Sequence, residues 1–289
     1  MLLVITGTTG RVGRALADRL KGEHQIVEMP RALMDLGDPE AAIRALRDIP
    51  FDALLNPAGM TRLEACEDFP ELARRTNALS PAALARFCRE EGARMIHFST
   101  DYVFDGKEPG LKMETNAMAP LSLYGMTKRD GEQAVLAEGG TVLRVSWVFG
   151  PERPAFPDTF LADALAGKPL AAVADKFSLP TYTTDLAGWV ADLLRHPDSP
   201  GLYHACNGGE PTSWHGMAQE IVAFLGGEGL IDPATPVRHL SIEELPALRA
   251  PRPIHTAMAT EKIAALLGRP PRDWREALHN YLRVCLDLE

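Results

Sequence analysis

The chain has 289 residues, 46% hydrophobic and 24% charged, with a formal charge of −9. A chain this long buries about three quarters of its unfolded surface, and the composition excludes disorder, collagen-like repeats and a long coiled coil. The acidic balance, with no cluster of Lys and Arg, argues against nucleic acid as a partner.

In chain order, residues 2–6 read as a strand and 12–20 as a helix with Val12, Leu16 and Leu20 on one face. Residues 25–28 form a weak second strand, and 39–46 a helix with Asp38 placed to cap it. The third strand, 53–56, is apolar until Asn56. One long helix is predicted over 70–91, ended by Gly92. A fourth strand covers 94–99 and a fifth 142–148, with a helix over 124–138 between them despite Gly125 and Gly131. After Gly150 prolines multiply, and helices near 159–166, 184–195, 213–225 and 260–267 alternate with short extended pieces.

Near-continuous apolar strands separated by helices predict an α/β fold, a Rossmann-like doubly wound parallel sheet covered on both faces. Residues 1–150 make the dinucleotide-binding part. Residues 151–289 make a smaller α/β substrate lobe, with some segments returning to the sheet. Ligands of such sheets bind at the carboxyl ends of the strands. Gly7, Asn56, Ser99-Thr100-Asp101 and Ser146-Trp147 all sit at such ends.

Cys66, Cys88, Cys206 and Cys285 are far apart, so neither a zinc site nor a disulfide framework is expected. Reduced thiols in a cytoplasmic protein fit better. The apolar start lacks a positive flank and runs into glycines, as a strand and turn do and a signal peptide does not. No apolar run approaches the roughly 20 residues that cross a bilayer. The expectation is a cytoplasmic protein with no membrane partner.

Thr6-Gly7-Thr8-Thr9-Gly10-Arg11-Val12-Gly13 joins the first strand to the first helix. Gly7 allows a tight turn, Gly10 lets N–H groups approach a pyrophosphate, and Gly13 lets the helix pack closely. At the end of the second strand Glu28 favours the ribose hydroxyls of NAD, whereas Arg31 and Arg11 could pair with a 2′-phosphate. NADPH is expected to be preferred, with NADH also used. Asp35 and Leu36 are candidates to flank the adenine, against the alternative of a turn acid and a core leucine.

Tyr124-Gly125-Met126-Thr127-Lys128 puts a phenol and an ammonium on one helix face, one turn apart. A free tyrosine has a pKa of about 10, too high for proton transfer near neutrality, and a nearby lysine charge lowers it. Alone, this spacing is a weak signal. A strand-end hydroxyl at Ser99-Thr100 on the preceding strand could bond a substrate carbonyl against the tyrosine, which sharpens it. His97, between Ile96 and Phe98, reads as a core histidine.

These three features in order resemble the extended short-chain dehydrogenase/reductases, and more narrowly the dTDP-4-dehydrorhamnose reductase family. The segments 99–106, 144–149, 175–181, 201–204 and Arg252-Pro253 extend the resemblance over nearly the whole chain. It implies reduction of the C4 ketone of a dTDP-linked 4-keto-6-deoxyhexose. Tyr124 would donate the proton, Lys128 would depress its pKa and bind the nicotinamide ribose, and Thr100 would orient the ketone. It further implies that Asn77 holds a relay water and that Asn56, Ala58, Gly59 and Ser99 line the coenzyme beside Gly7, Thr9, Gly10, Val12 and Gly13. Asp101, Tyr102, Val103 and Trp147 would meet the sugar, and Arg252 the pyrophosphate. Some relatives carry a glutamate for a metal at a dimer interface where this chain has Ala15. No metal is therefore expected, and a homodimer is left open. Two other readings stand beside the reductase: a non-catalytic dinucleotide-binding subunit like that of methionine adenosyltransferase, and another nucleotide-sugar reductase, epimerase or dehydratase. Tyr102 directly after Asp101, in place of the Thr-Asp-Glu of dehydratases, argues against dehydration.

Overall fold

The computed structural model describes residues 1–288. Its short apolar runs pair in parallel as β1 (Leu2–Thr6), β2 (Gln25–Met29), β3 (Ala53–Asn56), β4 (Arg94–Thr100) and β5 (Thr141–Val145). Between and after them lie the helices α1 (Arg11–Leu20), α2 (Pro39–Arg44), α3 (Leu63–Asp68), α4 (Pro70–Arg74), α5 (Ser80–Glu90) and α6 (Leu123–Ala137). The sheet order is β2-β1-β3-β4-β5, and Gly201–His204 adds a sixth parallel strand beside β5. The chain thus changes direction of travel between β2 and β3, which opens a crevice beyond the carboxyl ends of β1 and β3.

Alternate strand residues feed opposite faces. Leu3, Ile5 and Leu55 meet Leu16 and Leu20 of α1 together with Leu186, Trp189 and Val190 of the helix Thr183–Leu194. On the other face Val4, Leu54, Met95 and Val142 meet Ala42 of α2 and Leu84, Ala85 and Cys88 of α5. Asp38 caps α2, accepting from the N–H groups of Glu40 and Ala41. The catalytic-candidate helix α6 is anchored by a fully buried ion pair between its Glu132 and Arg144 of β5, with Nε to Oε2 at 2.9 Å. Arg144 also meets His204 Nε2 at 3.2 Å.

Three elements differ from the sequence expectation. The helix over 70–91 is α4 and α5 joined through a π-helical turn, Arg75–Leu79, and α3 precedes it unannounced. The fifth strand ends at Val145 because Trp147 turns to φ +41°, and Val148–Phe149 pairs with Thr181–Tyr182 instead. A helix at Trp274–Cys285, absent from the sequence reading, buries Trp274, Leu278, Tyr281 and Leu282 in the core of the C-terminal part.

Candidate active site

The glycine loop closes the crevice at β1. Gly7 takes φ +58°, and a Cβ at Gly13 would stand 2.4 Å from the Gly7 carbonyl oxygen, so only glycine lets α1 come this close. Gly10 caps α1 without any side-chain bond, and the first turn holds no acid. The first-turn N–H groups and the positive helix end therefore face the crevice, a fit for a diphosphate. Thr9 is exposed at the loop tip, Val12 packs into the core beside it, and Ala58 abuts Gly7. Gly59 is exposed beside them.

Several candidate coenzyme contacts have other work. The Arg11 guanidinium bonds the carbonyls of Val148, Arg153 and Pro154 at 3.0, 3.2 and 2.7 Å, clamping that loop onto α1 rather than waiting for a 2′-phosphate. Glu28 lies inside β2, opposite Ile5, because the strand runs one residue further, to Met29. Arg31, just beyond that end, is exposed and holds Asp35 at 3.4 Å. Asp35 accepts from Gly37 N–H as a turn acid, and Leu36 is a core residue 3% exposed. The Asn56 side chain turns inward to Thr6 and His97 instead of into the crevice.

The end of β4 meets α6 beside this loop. Thr100 caps the short 3-10 turn Asp101–Val103 by accepting from Tyr102 N–H, and its hydroxyl donates to Asp101 Oδ1 at 3.1 Å. Burial raises the Tyr124 pKa above its ordinary value; the neighbouring Thr100 hydroxyl opposes this, and the Asp101 charge adds to it. Lys128 does not point at the phenol. Its Nζ donates to the Phe98 carbonyl and lies 3.2 Å from His97 Nε2, and burial lowers its pKa to about 8. The lowering of the tyrosine pKa by Lys128 that the resemblance implies is not expressed in this arrangement. Ser99 Oγ is buried without a hydrogen-bond partner among the described residues.

Asn77, on the π turn, is fully buried. Its Oδ1 accepts from Met60 N–H at 2.8 Å, and its Nδ2 donates to the Met60 carbonyl at 2.9 Å and to Thr127 Oγ1 at 3.2 Å. It fastens the chain after β3 to α6. A Cβ on Gly131 of α6 would stand 2.1 Å from the Asn77 carbonyl oxygen, so this junction is close-packed backbone.

On the substrate side three candidates are already committed to protein partners or to the core. Asp101 is saturated by the hydroxyls of Thr100, Ser178 and Thr256 at 3.1, 3.2 and 2.5 Å, tying β4 to the C-terminal part. Val103 is fully buried in the C-terminal core. Arg252 is largely buried and held by Glu64 at 2.7 Å and by the Ala250 carbonyl at 2.9 Å. Of the other two, the Tyr102 ring stands edge-on to Tyr124 at 5.7 Å, and the Trp147 indole N–H is buried without a partner among the described residues. Two residues escape the sequence reading. His97 bridges Asn56 and Lys128, and Lys176, 1% exposed, sits over the rings of Tyr102 and Trp147 at 4.8 and 5.6 Å. The mark on Lys176 in the sequence was its place in the segment 175–181, and nothing local marks His97.

Comparison with known proteins bears directly on this geometry. The family described as RmlD substrate binding domain matches residues 1–286. The chain belongs to this family. It is 34% identical to the dTDP-4-dehydrorhamnose reductase of Mycolicibacterium smegmatis, over 96% of this chain and 84% of that one. It is 35% identical to a probable dTDP-4,6-dihydroxy-2-methyloxan-3-one 4-ketoreductase of Streptomyces antibioticus, over 96% and 93%. The solved dTDP-4-dehydrorhamnose reductase of Bacillus anthracis in complex with NADP superposes with a TM-score of 0.88 at 27% identity, covering 97% of this chain and 98% of that one. As a family member the chain is an oxidoreductase with a Rossmann-like sheet. No helix among the described residues is long and apolar enough to cross a membrane.

Proposed function

We propose that this protein reduces the C4 ketone of dTDP-4-dehydro-6-deoxy-L-mannose to dTDP-L-rhamnose, using NADPH and, less well, NADH. One observation carries the reading: the Thr100 hydroxyl at the end of β4 neighbours the Tyr124 phenol, with Lys128 one turn along α6. The uncapped first turn of α1 fits the coenzyme's diphosphate, and Arg31, exposed and paired with Asp35, is the arginine placed to take a 2′-phosphate. When bound, the nicotinamide supplies a hydride to C4. Thr100 orients the ketone by turning its hydroxyl proton from Asp101 Oδ1 to the ketone oxygen, and Tyr124 delivers the proton that makes the oxygen a hydroxyl. A phenol held largely neutral by burial is a competent donor in this direction. Tyr102 and Trp147 bound the sugar by their ring faces.

The test is coenzyme oxidation with dTDP-4-dehydro-6-deoxy-L-mannose. Tyr124→Phe should lose about 10²- to 10⁴-fold in kcat while still binding NADPH. Equal turnover in the variant would remove Tyr124 from the chemistry. The similarity to the Streptomyces 4-ketoreductase supports a second reading, another dTDP-4-ketohexose as substrate. Turnover of such a sugar in preference to the rhamnose precursor would favour it.

A further inference from the structure

We propose that His97 is a positioning residue for Lys128, holding the lysine nitrogen in both of its charge states by exchanging which ring nitrogen carries the proton. The proposal rests on the placing of Lys128 in the catalytic set.

His97 is fully buried in β4. Its Nδ1 lies 3.1 Å from Asn56 Nδ2, and its Nε2 3.2 Å from Lys128 Nζ. Asn56 Oδ1 in turn accepts from Thr6 Oγ1 at 2.7 Å, and that hydroxyl accepts from Ala58 N–H at 3.3 Å. A hydrogen-bonded chain thus runs inside the sheet from the loop after β3, through the end of β1, to the catalytic lysine.

Burial keeps the His97 ring well below its ordinary pKa, so it stays neutral, with one donor and one acceptor nitrogen. An ammonium can only donate, whereas an amine can also accept. With Lys128 charged, Nε2 accepts from it, the ring proton sits on Nδ1, and the Asn56 amide presents its oxygen. With Lys128 neutral, Nε2–H donates to the amine and Asn56 Nδ2 donates to Nδ1. Ala58, Thr6, Asn56 and His97 then each donate to the next group along the chain. The exchange balances. The ammonium proton passes to Nε2, the Nδ1 proton leaves to a buffer base, the Asn56 amide turns over, and one proton is lost in all. A carboxylate at position 97 would favour the charged lysine alone, and a hydrocarbon neither state. Burial lowers Lys128 to about 8, so both states are reached close to neutrality.

The other groups facing Lys128 do not supply this. The Phe98 carbonyl of β4 only accepts. Glu132, one turn on along α6, is bound by Arg144. Burial pushes the Cys66 thiol of α3 up to about 11, and Tyr124 of α6 is raised and faces Thr100. Asn56 and Lys128 are the polar side chains bonded to His97 itself.

The first experiment needs no substrate. Nitrogen-15 shifts of the histidine rings report the tautomer, and carbon-13 at lysine Cε follows Lys128 among seven lysines, with Lys128→Arg used for assignment. Expected is an Nδ1–H ring while Lys128 is charged, converting to Nε2–H with the same midpoint as the lysine titration. A tautomer that stays constant through that titration overturns the proposal. So does an Nε2–H ring beside a charged lysine.

His97→Gln, whose amide can present either end, should keep the lysine midpoint and leave kcat within about threefold. His97→Leu should move the midpoint down by about one unit, a tenfold weaker hold on the proton, and shift the alkaline limb of the pH–rate profile with it. Leu and Gln variants that titrate alike would also overturn it. Should the Leu variant fail to fold, the wild-type tautomer and the Gln variant decide. Absence of turnover by the wild-type enzyme would refute the substrate reading and leave these titrations to judge His97.

Discussion

Gly131→Ala sets two effects of opposite sign against each other at the junction between α6 and the π turn. In an exposed helix interior, alanine for glycine gains roughly 1 kcal/mol. Here the new Cβ would fall 2.1 Å from the Asn77 carbonyl oxygen, where contacts under 3.0 Å essentially do not occur. The obstacle is backbone on both sides, so the two helices must part by about 1 Å, and overpacking of this kind costs about 1–3 kcal/mol. The clash should win. A net loss of up to about 2 kcal/mol lowers Tm by up to about 3 °C in a chain of this size. The same 1 Å carries Tyr124 and Lys128 away from β4, and displacements of that order cost about 10²-fold in rate. Gly188→Ala is the control. It lies in the helix Thr183–Leu194 with nothing within 4 Å of its Cβ, so it should gain stability and keep full activity. Urea unfolding and steady-state kcat on both variants decide the matter. A Gly131→Ala protein that is stabilised as the control is, or that keeps its kcat, would refute the argument.

Coenzyme choice should follow Arg31 and not Arg11. Arg31→Ala should cut the preference for NADPH over NADH at least about tenfold. Arg11→Met, which frees only the Val148, Arg153 and Pro154 carbonyls, should leave that ratio unchanged in steady-state assays with both coenzymes. Thr100→Val should lower kcat by more than about tenfold, and Thr100→Ser should restore most of it, because the hydroxyl serves both the ketone and Tyr124. Burial holds Lys176 at about 8 against an ordinary 10.5. The unfolded chain therefore binds more protons at this group between those values, so its contribution to stability rises with pH across that window and is least favourable below it. Lys176→Met should accordingly gain on the wild type as pH falls from 10.5 to 8. Urea melts at both ends of the window would show it, and a pH-independent difference would contradict the assignment.

What could be read from the sequence is what neighbours in sequence create. The glycine loop, the apolar strands and the Asp38 cap depend on residues a few positions apart, and all three stand where the pattern puts them. The neighbourhood of Thr100, Tyr124 and Lys128 was legible because Thr100 ends β4 and the other two share the first turns of α6, elements whose period is visible. The helix at Trp274–Cys285 was missed, although residues 274, 277, 278, 281 and 282 repeat at helical spacing and form its buried stripe.

The roles that could not be read are set by partners remote in sequence, most often by main-chain groups, which carry no sequence signal. Arg11 serves carbonyls 137 to 143 residues away. Asn77 grips both polar groups of the Met60 backbone, and the π turn that carries it breaks a helix whose own periodicity gives no reason to break. Asp101 is satisfied by hydroxyls at Ser178 and Thr256, so a strand-end acid that resembles a substrate ligand becomes a tie between the two parts of the chain. The same logic explains His97. A histidine between Ile96 and Phe98 is a core residue by pattern, and it is one. Burial is also what makes it useful, since a ring that cannot charge has to divide its two nitrogens between Asn56 and Lys128. In this sheet, core placement and contact with Lys128 are a single property of that residue.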